Sequence, residues 1–521
     1  MTSTISRSEG INESEQYLKR LCDRTFLSLW SYPGVYRDQN KITPSGDGKE
    51  VVDLLVVFGN NIILFSDRAC KIPQTGNAHR DWSRWYRKAI LRSAQQLWGA
   101  ERWIHNYPDR LYMDRQCMVP FPLERPEFSV ARFHRVLVAH DADRAERVAS
   151  GGQFTLSIRP DIVGDAHVLP PQDGGIPFAV GQIDPAKGFI HVFGDDSLDS
   201  VMGELDTVTD FIAHLSDKED LVATGKLEAA ATERDLLADY LFPEARKEEN
   251  RFTVPDGSSR LQVPSGRWHA FETDPYRKSR IKANKYSYFW DHLIESTSKH
   301  ILDGTQYYAT EPGIQAGSQV LSLLAAETRT RRRHLAEAWL SFATSAKYQP
   351  NMRAVRAVAP GSGIGPHYVF LLLSEELNGV HSTDDYREAR RGVLYGVCEV
   401  YAAKNPGAKD IIGIASELGR GAKGSEDVAY LDAKKMTNAE RADAVKLWAP
   451  LKFFENFTAY SSTTYDYPAP RIPHQDMSFT AKPAPLPQPS LKGRDRNKPC
   501  ACGSGEKTKH CCGRVAGTYG D

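Results

Sequence analysis

Residues 50 to 68 consist of two apolar runs on either side of a short polar turn. "EVVDLLVVF" and "IILFSDR" are rich in Val, Ile, Leu and Phe, which favour strands, and Gly59-Asn60-Asn61 separates them. Glycine and asparagine are preferred in tight hairpin turns. The pattern therefore predicts a β-hairpin in which Phe58 faces Ile62.

Helical periodicity flanks this hairpin on both sides. Five residues before it recur at the spacing of one helix face: Leu18, Leu21, Cys22, Thr25 and Leu29. Asn12 followed by Glu15 resembles a capping box at the start of this helix. After the hairpin, Asp81 is expected to cap a second, long helix, "DWSRWYRKAILRSAQQLWGAERWI". Helix, hairpin and helix together predict a first α/β domain over residues 1–125.

The rest of the chain mixes strand and helix patterns in the same way. "RVLVAH", "GQFTLSI", "PFAVGQI" and "GFIHVFG" are typical of strands, as are "HYVFLLLS" and "KDIIGIAS" further on. "DDYREARRGVLYGVCEVYAAK" has helical periodicity. A chain of 521 residues is too long for a single core. We therefore predict a multidomain α/β protein, with mixed α/β domains at 126–250 and 251–465 after the first.

Composition and charge restrict the partners of this protein. Lys plus Arg and Asp plus Glu both total 66, so a nucleic-acid surface has to be a local patch rather than a chain-wide field. The apolar runs are far shorter than the roughly 20 residues of a membrane helix, and the polar N-terminus has no signal-peptide pattern. These features predict a cytoplasmic protein with no membrane partner and with reduced thiols.

Cysteine is concentrated at the C-terminus, after a proline-rich linker predicted at 466–498. Cys500, Cys502, Cys511 and Cys512 are half of the eight cysteines of the chain. Two pairs of thiolates separated by a short glycine-rich loop suit a tetrahedral zinc ion. So short a segment has almost no core, and the metal would supply most of its folding energy.

This tail, "RNKPCACGSGEKTKHCCG", resembles the SEC-C motif, the zinc-binding tail of the bacterial preprotein translocase ATPase that many unrelated proteins also carry. The resemblance implies a zinc-binding module at residues 499–514, with the four cysteines as ligands. It also implies contact with proteins or nucleic acid, in keeping with the basic residues around the motif. The chain has no G-x-x-x-x-G-K-[ST] phosphate loop, so it is not predicted to be a translocase motor.

Asp53 is a charged residue inside the apolar run of the first hairpin strand. An unpaired buried carboxylate costs several kcal/mol, so a compensating partner is expected. Pairing of Phe58 with Ile62 would place Asp53 opposite Asp67. Facing carboxylates repel unless a cation, a proton or an arginine lies between them. An ion pair of Asp53 with Arg68 or with a helix arginine is the structural alternative.

A helix with Glu15, a strand with Asp53 and a hairpin partner ending in charged residues together resemble the PD-(D/E)XK nucleases, and nuclease-related domains in particular. The resemblance implies that Asp53 and a second acid, Asp67, hold Mg²⁺. Glu15 would be a helix-borne acid and Arg68 would replace the lysine that orients water. Glu50 is a nearby candidate.

The third element of this motif departs from the family. The family spacing falls on Ser66-Asp67-Arg68, with serine in place of the acid and arginine in place of the lysine. A shift by one residue restores the acid at Asp67 but loses the base. The domain is therefore expected to be either an active metal nuclease or a degenerate version that only binds.

Weaker patterns lie outside this motif. His140-Asp141 at a strand end fits the dyad of a metal phosphohydrolase, although a lone pair of this kind is mostly a strand end that meets a loop. "YRKSRIKANKYSYFW" mixes basic and aromatic residues that can grip single strands, or that form a loop with its aromatics turned inward. "RTRRRH", from Arg329, is expected to be an exposed charged helix face.

Three hypotheses follow. The first is a zinc-binding protein that binds nucleic acid, with or without cleaving it, through the nuclease-like domain. The second is a non-enzymatic adaptor whose zinc knuckle docks on a protein partner. The third is an enzyme within the central α/β region that no motif reveals.

Overall fold

The computed structural model describes residues 7–38, 48–141, 156–242, 252–303, 314–418, 426–455, 458–459 and 466–468, apart from 11, 256, 362, 378 and 381. The four tail cysteines, and the predicted linker after residue 468, lie outside the described residues. The described residues up to 339 and from 348 to 468 belong to one compact unit.

The α-helices in chain order are α1 (Glu13–Phe26), α2 (Ala78–Trp85), α3 (Arg92–Asn106), α4 (Asp195–Glu204), α5 (Val208–Ala223), α6 (Glu233–Leu241), α7 (Arg267–Thr273), α8 (Pro275–Asn284), α9 (Tyr288–Leu302), α10 (Ile314–Ala325), α11 (Arg329–Ser345), α12 (Thr383–Lys404) and α13 (Asn438–Trp448). The strands are β1 (Ser31–Arg37), β2 (Lys49–Phe58), β3 (Asn61–Arg68), β4 (Arg132–Ala139), β5 (Ser157–Val163), β6 (Ala179–Gln182), β7 (His191–Phe193), β8 (Leu227–Ala230), β9 (Leu261–Val263), β10 (Arg353–Val358), β11 (His367–Ser374), β12 (Asp410–Leu418) and β13 (Glu426–Asp432). These elements confirm the α/β class predicted from the sequence.

The first sheet has the strand order β1-β2-β3-β4-β7. β1, β2 and β3 form an antiparallel meander, β4 pairs with β3 in parallel, and β7 pairs with β4 in parallel. The predicted boundary after residue 125 therefore falls inside one sheet, because β4 and β7 come from the next predicted domain. Parallel neighbours are joined by long crossovers, so an apolar run does not show which strand it will pair with.

The predicted hairpin is present, but its register differs by one residue. Phe58 pairs with Asn61, not with Ile62, and Leu54 pairs with Phe65. Gly59 and Asn60 form a two-residue turn, with Gly59 in the left-handed region at φ 55°. The length of the turn sets the register of a hairpin. This turn has two residues, whereas the pairing expected from the sequence assumed three.

Helix α1 forms with the predicted buried face at Leu18, Leu21, Cys22 and Thr25, but it ends at Phe26, so Leu29 lies beyond it. The Asn12 side chain accepts a hydrogen bond from the Glu15 backbone amide at 3.0 Å, which caps the helix. The second long helix begins earlier than expected. Its cap is Asn77, and the Asp81 carboxylate instead accepts hydrogen bonds from Thr75. A π-helical segment, Tyr86–Leu91, joins α2 to α3.

Two smaller sheets complete the fold, with strand orders β6-β5-β8-β9 and β10-β11-β12-β13. β9 lies after residue 250, so the second sheet also crosses a predicted domain boundary. In the third sheet, β11 and β12 are parallel, and residues from α12 pack on one of its faces in a buried core.

Three of the four arginines of "RTRRRH" are buried, so the predicted exposed face is wrong. Arg329, Arg332 and Arg333 are 3%, 1% and 2% exposed. Arg329 donates to Asp206 at 2.7 Å and to Asp291 at 2.5 Å, and Arg332 contacts the same Asp291 carboxylate. Acids on other elements compensate the buried charge, and sequence spacing along α11 does not reveal them.

The basic and aromatic segment at 276–290 is also partly internal. Arg280 is 3% exposed and donates to the Glu204 carboxylate at 3.0 Å, and Trp290 is fully buried. Tyr286 and Tyr288 keep 48% and 39% of their surface exposed. The segment is mostly helical and not a loop. The inward-facing interpretation of its aromatics holds for Trp290 and not for the two tyrosines, and the buried Arg280 departs from the expected solvated basic residues.

Among the described residues, no helix combines the length and the apolar character needed to cross a membrane.

Candidate functional site

Asp53 lies on β2 with its carboxylate partly buried. Its Oδ2 accepts a hydrogen bond from the Asp67 backbone amide at 2.5 Å. The pKa of Asp53 is raised to about 6, chiefly by burial; the hydrogen bonds from the Asp67 amide and from Ser66 lower it, and the charges of Asp67 and Glu15 raise it. The Asp53 carboxyl is therefore held in a place where its negative charge is disfavoured.

Glu50 shares this environment. The pKa of Glu50 is raised to about 7, chiefly by burial and also by the charges of Asp53 and Glu15. The charge of Glu15 therefore disfavours ionisation of both Glu50 and Asp53. Glu50 was the nearby candidate of the sequence, and the structure places it in the same acidic group as Asp53.

Asp67 has different partners from Asp53. Its carboxylate accepts a hydrogen bond from Ser14 Oγ on α1 and contacts His140 Nε2 at the end of β4. Ser14 Oγ lies 3.2 Å from the same His140 nitrogen, and the Asp67 side chain is only 2% exposed. In a catalytic Ser-His-Asp triad, serine and aspartate take different ring nitrogens, so this cluster lacks that geometry.

Arg68 points to the opposite side of the sheet from Asp67, because adjacent residues of a strand alternate between faces. Its guanidinium donates to Ser93 Oγ at 3.3 Å and to Gln96 Oε1 at 2.9 Å, both on α3. The observed register, continued by one residue, places Asp53 beside Ser66 on this face. The structure describes both Asp53 and Arg68, and no ion pair joins them.

Of the two spacings considered from the sequence, the observed register puts Ser66, and not Asp67, beside Asp53. Asp67 instead contacts Ser14 on α1 and His140, which directly follows β4. The side chains of His140 and Asp141 have different partners. His140 contacts Asp67, whereas Asp141 Oδ2 accepts a hydrogen bond from the Ile72 amide at 3.0 Å. Glu15, Asp53 and Asp67 consequently do not meet in one exposed pocket.

A row of basic residues lies exposed on the outer side of the helix from 78 to 106, at helical spacings of mostly three and four: Arg80, Arg84, Arg87, Lys88 and Arg92. We call this row the basic stripe. Among the described residues, none of its members forms a salt bridge to a carboxylate. The exposed Gln96 follows the stripe and binds Arg68. The inner side of the helix buries Trp82, Trp85 and Ala89.

One group of three potential metal ligands is brought together elsewhere in the described part of the chain. His134, His191 and Glu219 present ligand atoms that all lie within 4.8 Å of one another. Among the described residues, the acids around Asp53 do not form such a group, even though Glu50 lies in the same acidic environment. The described residues therefore do not bring three converging ligand atoms together for Mg²⁺ at Asp53.

Neither the basic stripe nor the group of His134, His191 and Glu219 was predicted from the sequence. The stripe had a readable signal, since its basic residues recur at helical spacing within a helix that was predicted. The histidine group had none, because its members come from three separate elements.

The chain matches no protein-family model, and comparisons with curated proteins and with solved structures find no match either.

Proposed function

We propose that the N-terminal domain binds nucleic acid through the phosphate backbone, using the basic stripe. The observation that carries this proposal is a row of exposed cations without carboxylate partners on one helix face of a chain with zero net charge. Unpaired cations in a row suit a repeating array of phosphates, because each contact releases a counterion.

The strand topology supports the same conclusion. A helix, three antiparallel strands, a helix and a parallel fourth strand follow one another in residues 13–139. This order resembles the PD-(D/E)XK core, and Asp53 lies on its second strand, where that family carries a metal-binding acid. The topology is a resemblance in connectivity, and the basic stripe is the independent argument for nucleic acid.

Binding without cleavage fits the residues better than hydrolysis. Ser66 lies where the family has its second acid, and the Asp67 carboxylate is committed to Ser14 and His140. Arg68 donates to α3 and is not free to orient a water beside Asp53. We therefore propose that the domain is a degenerate version that binds nucleic acid without hydrolysing it.

The C-terminal motif adds a second proposed element. We propose that Cys500, Cys502, Cys511 and Cys512 bind one structural zinc ion and that the basic knuckle contributes to binding of nucleic acid or of a protein partner. Its basic residues are close to the four ligands in the sequence: Lys498, Lys507, Lys509 and Arg514.

The salt dependence of binding tests the role of the stripe. Affinity for a short DNA duplex is measured by fluorescence anisotropy over a range of salt concentrations, in a background where the four tail cysteines are replaced by serine. The double variant Arg84→Gln, Lys88→Gln should reduce the slope of log K against log [salt] by about 1.8, since each phosphate contact contributes about 0.9. A matched control is Lys435→Gln, Lys446→Gln, which removes two exposed cations near α13.

Three results would contradict the proposal. Equal slopes for the stripe variant and the control would remove the stripe from the interface. Absence of binding by the unmodified chain at low salt would favour the adaptor hypothesis. Cleavage in Mg²⁺ or Mn²⁺ that Asp53→Asn abolishes, and that the exposed control Asp109→Asn retains, would show an active nuclease.

A further inference from the structure

Two histidines lie next to each other on the last two strands of the first sheet, β4 and the edge strand β7. His134 is on β4 and His191 on β7, and the pairing of Val136 with His191 places both histidines on one face of the sheet. Both side chains are completely buried. Glu219, from α5, reaches this face with its carboxylate.

A single carboxylate oxygen lies between the two rings. Glu219 Oε1 is 2.8 Å from His134 Nδ1 and 3.0 Å from His191 Nε2. The second oxygen, Oε2, accepts from Arg132, whose guanidinium also pairs with the exposed Asp220. The carboxylate is therefore oriented by Arg132 while Oε1 faces the histidines.

The second ring nitrogen of His134, Nε2, also has a polar partner. It lies 3.1 Å from Asn61 Oδ1, at the start of β3. A neutral imidazole has one N–H, so it cannot donate both to Glu219 and to this oxygen. If Nδ1 binds a metal ion through its lone pair, Nε2 carries the hydrogen and donates to Asn61, which is the outer-shell arrangement of metal-binding histidines.

The Nδ1 atom of His191 is compatible both with a metal ion and with a hydrogen bond to Glu219. His191 Nδ1 is buried without a hydrogen-bond partner, and it has none whether Nε2 binds Glu219 or a metal. The neighbouring Lys218 is neutralised by Glu233 at 2.6 Å, so it does not take over the Glu219 carboxylate.

We propose that His134 Nδ1, His191 Nε2 and Glu219 Oε1 bind one zinc ion that fastens α5 to the first sheet. Two imidazoles and a carboxylate are a ligand set that zinc takes in proteins, with water in the fourth position. Bonds of about 2.0–2.1 Å in a tetrahedron put ligand atoms about 3.3 Å apart, so the observed pairs would separate by a few tenths of an ångström. Hydrogen bonds replace the ion when it is absent.

Metal content tests this site separately from the tail. The full chain, with Cys500, Cys502, Cys511 and Cys512 replaced by serine, is stripped with chelator. Separate metal-free samples are then titrated with Zn²⁺ and with Co²⁺. We expect one ion per chain, and the Co²⁺ form should show the visible bands of a tetrahedral site without a thiolate charge-transfer band. Two ions per unmodified chain would follow if the tail also binds zinc.

Two ligand variants and one control complete the design. Glu219→Gln keeps an oxygen that accepts from the histidines but removes the charge, and His191→Gln removes a ligand ring. Both should lower affinity for Co²⁺ at least tenfold. His214→Gln alters another fully buried histidine close to His191 and should leave binding unchanged. Circular dichroism verifies that each variant is folded.

Two results would overturn the proposal. One is a folded serine-substituted chain that takes up no Zn²⁺ or Co²⁺. The other is uptake that Glu219→Gln leaves unchanged. In either case, the three residues form a hydrogen-bonded internal group and not a metal site.

Discussion

Replacing Asp53 by asparagine should stabilise the metal-free protein at high pH. Asparagine has nearly the shape of aspartate, and its Oδ1 can still accept the hydrogen bond from the Asp67 amide. The substitution removes a partly buried negative charge that Glu15 and Asp67 oppose. It also removes one of the charges that raise the pKa of Glu50.

The expected magnitude follows from the pKa of Asp53. The pKa rises from 3.8, the ordinary value of an aspartate, to about 6 in the folded protein, which corresponds to about 3 kcal/mol. Because the folded value is the higher one, ionisation disfavours the folded state. The destabilisation is absent below pH 3.8, grows as the pH rises to about 6, and is complete above that value. Water that reaches the partly exposed carboxylate makes about 3 kcal/mol an upper bound.

The assay is urea unfolding in the presence of chelator, followed by circular dichroism between pH 4 and pH 8. The unfolding midpoint of Asp53→Asn should exceed that of the parent protein at pH 8, and the two should converge towards pH 4. Asp67→Asn is the matched control. It should destabilise by about 1–3 kcal/mol, because the Asp67 carboxylate accepts from Ser14 and contacts His140.

Two outcomes would refute this reasoning. If Asp53→Asn lowered stability at pH 8, the Asp53 charge would be compensated by a cation, as in the ion-pair alternative. If its effect were the same at pH 4 and pH 8, ionisation of Asp53 would not be the cause.

Three further predictions concern the tail and the buried arginines. Cys502→Ser should lower the zinc content by one ion per chain in elemental analysis, with little change in the main thermal transition, because the metal supplies most of the folding energy of so short a module; an unchanged zinc content would exclude the four-cysteine site. Limited proteolysis should cut fastest between residues 466 and 499, whose proline-rich composition does not suit a packed core; fastest cuts that mass spectrometry of the fragments placed elsewhere would contradict this. Arg329→Gln should destabilise by about 3–5 kcal/mol in thermal or urea unfolding, since Asp206 loses its buried partner and Asp291 loses one of two; a change below 1 kcal/mol, as expected for a surface arginine, would contradict this.

Local sequence patterns determined the elements of the first domain. The period of Leu18, Leu21 and Cys22 predicts the buried face of α1, and Asn12 predicts its cap, because both effects depend on residues within one or two turns. The hairpin strands are also visible in the sequence. The apolar pattern does not set their register. With a turn shorter by one residue, Asp53 lies opposite Ser66 and not opposite Asp67.

The tertiary structure decided which residues meet. Parallel pairing joins β4 and β7 to the hairpin across a predicted domain boundary, and it is this pairing that puts His134 beside His191. Glu219 is 85 residues from His134 in the chain and reaches it only because α5 packs on that sheet. Arg329 looks like a surface residue in the sequence, but it is buried because acids on other elements neutralise it. Periodicity reports which side of an element is buried, whereas compensation of a buried charge and assembly of a site depend on residues that are distant in the chain.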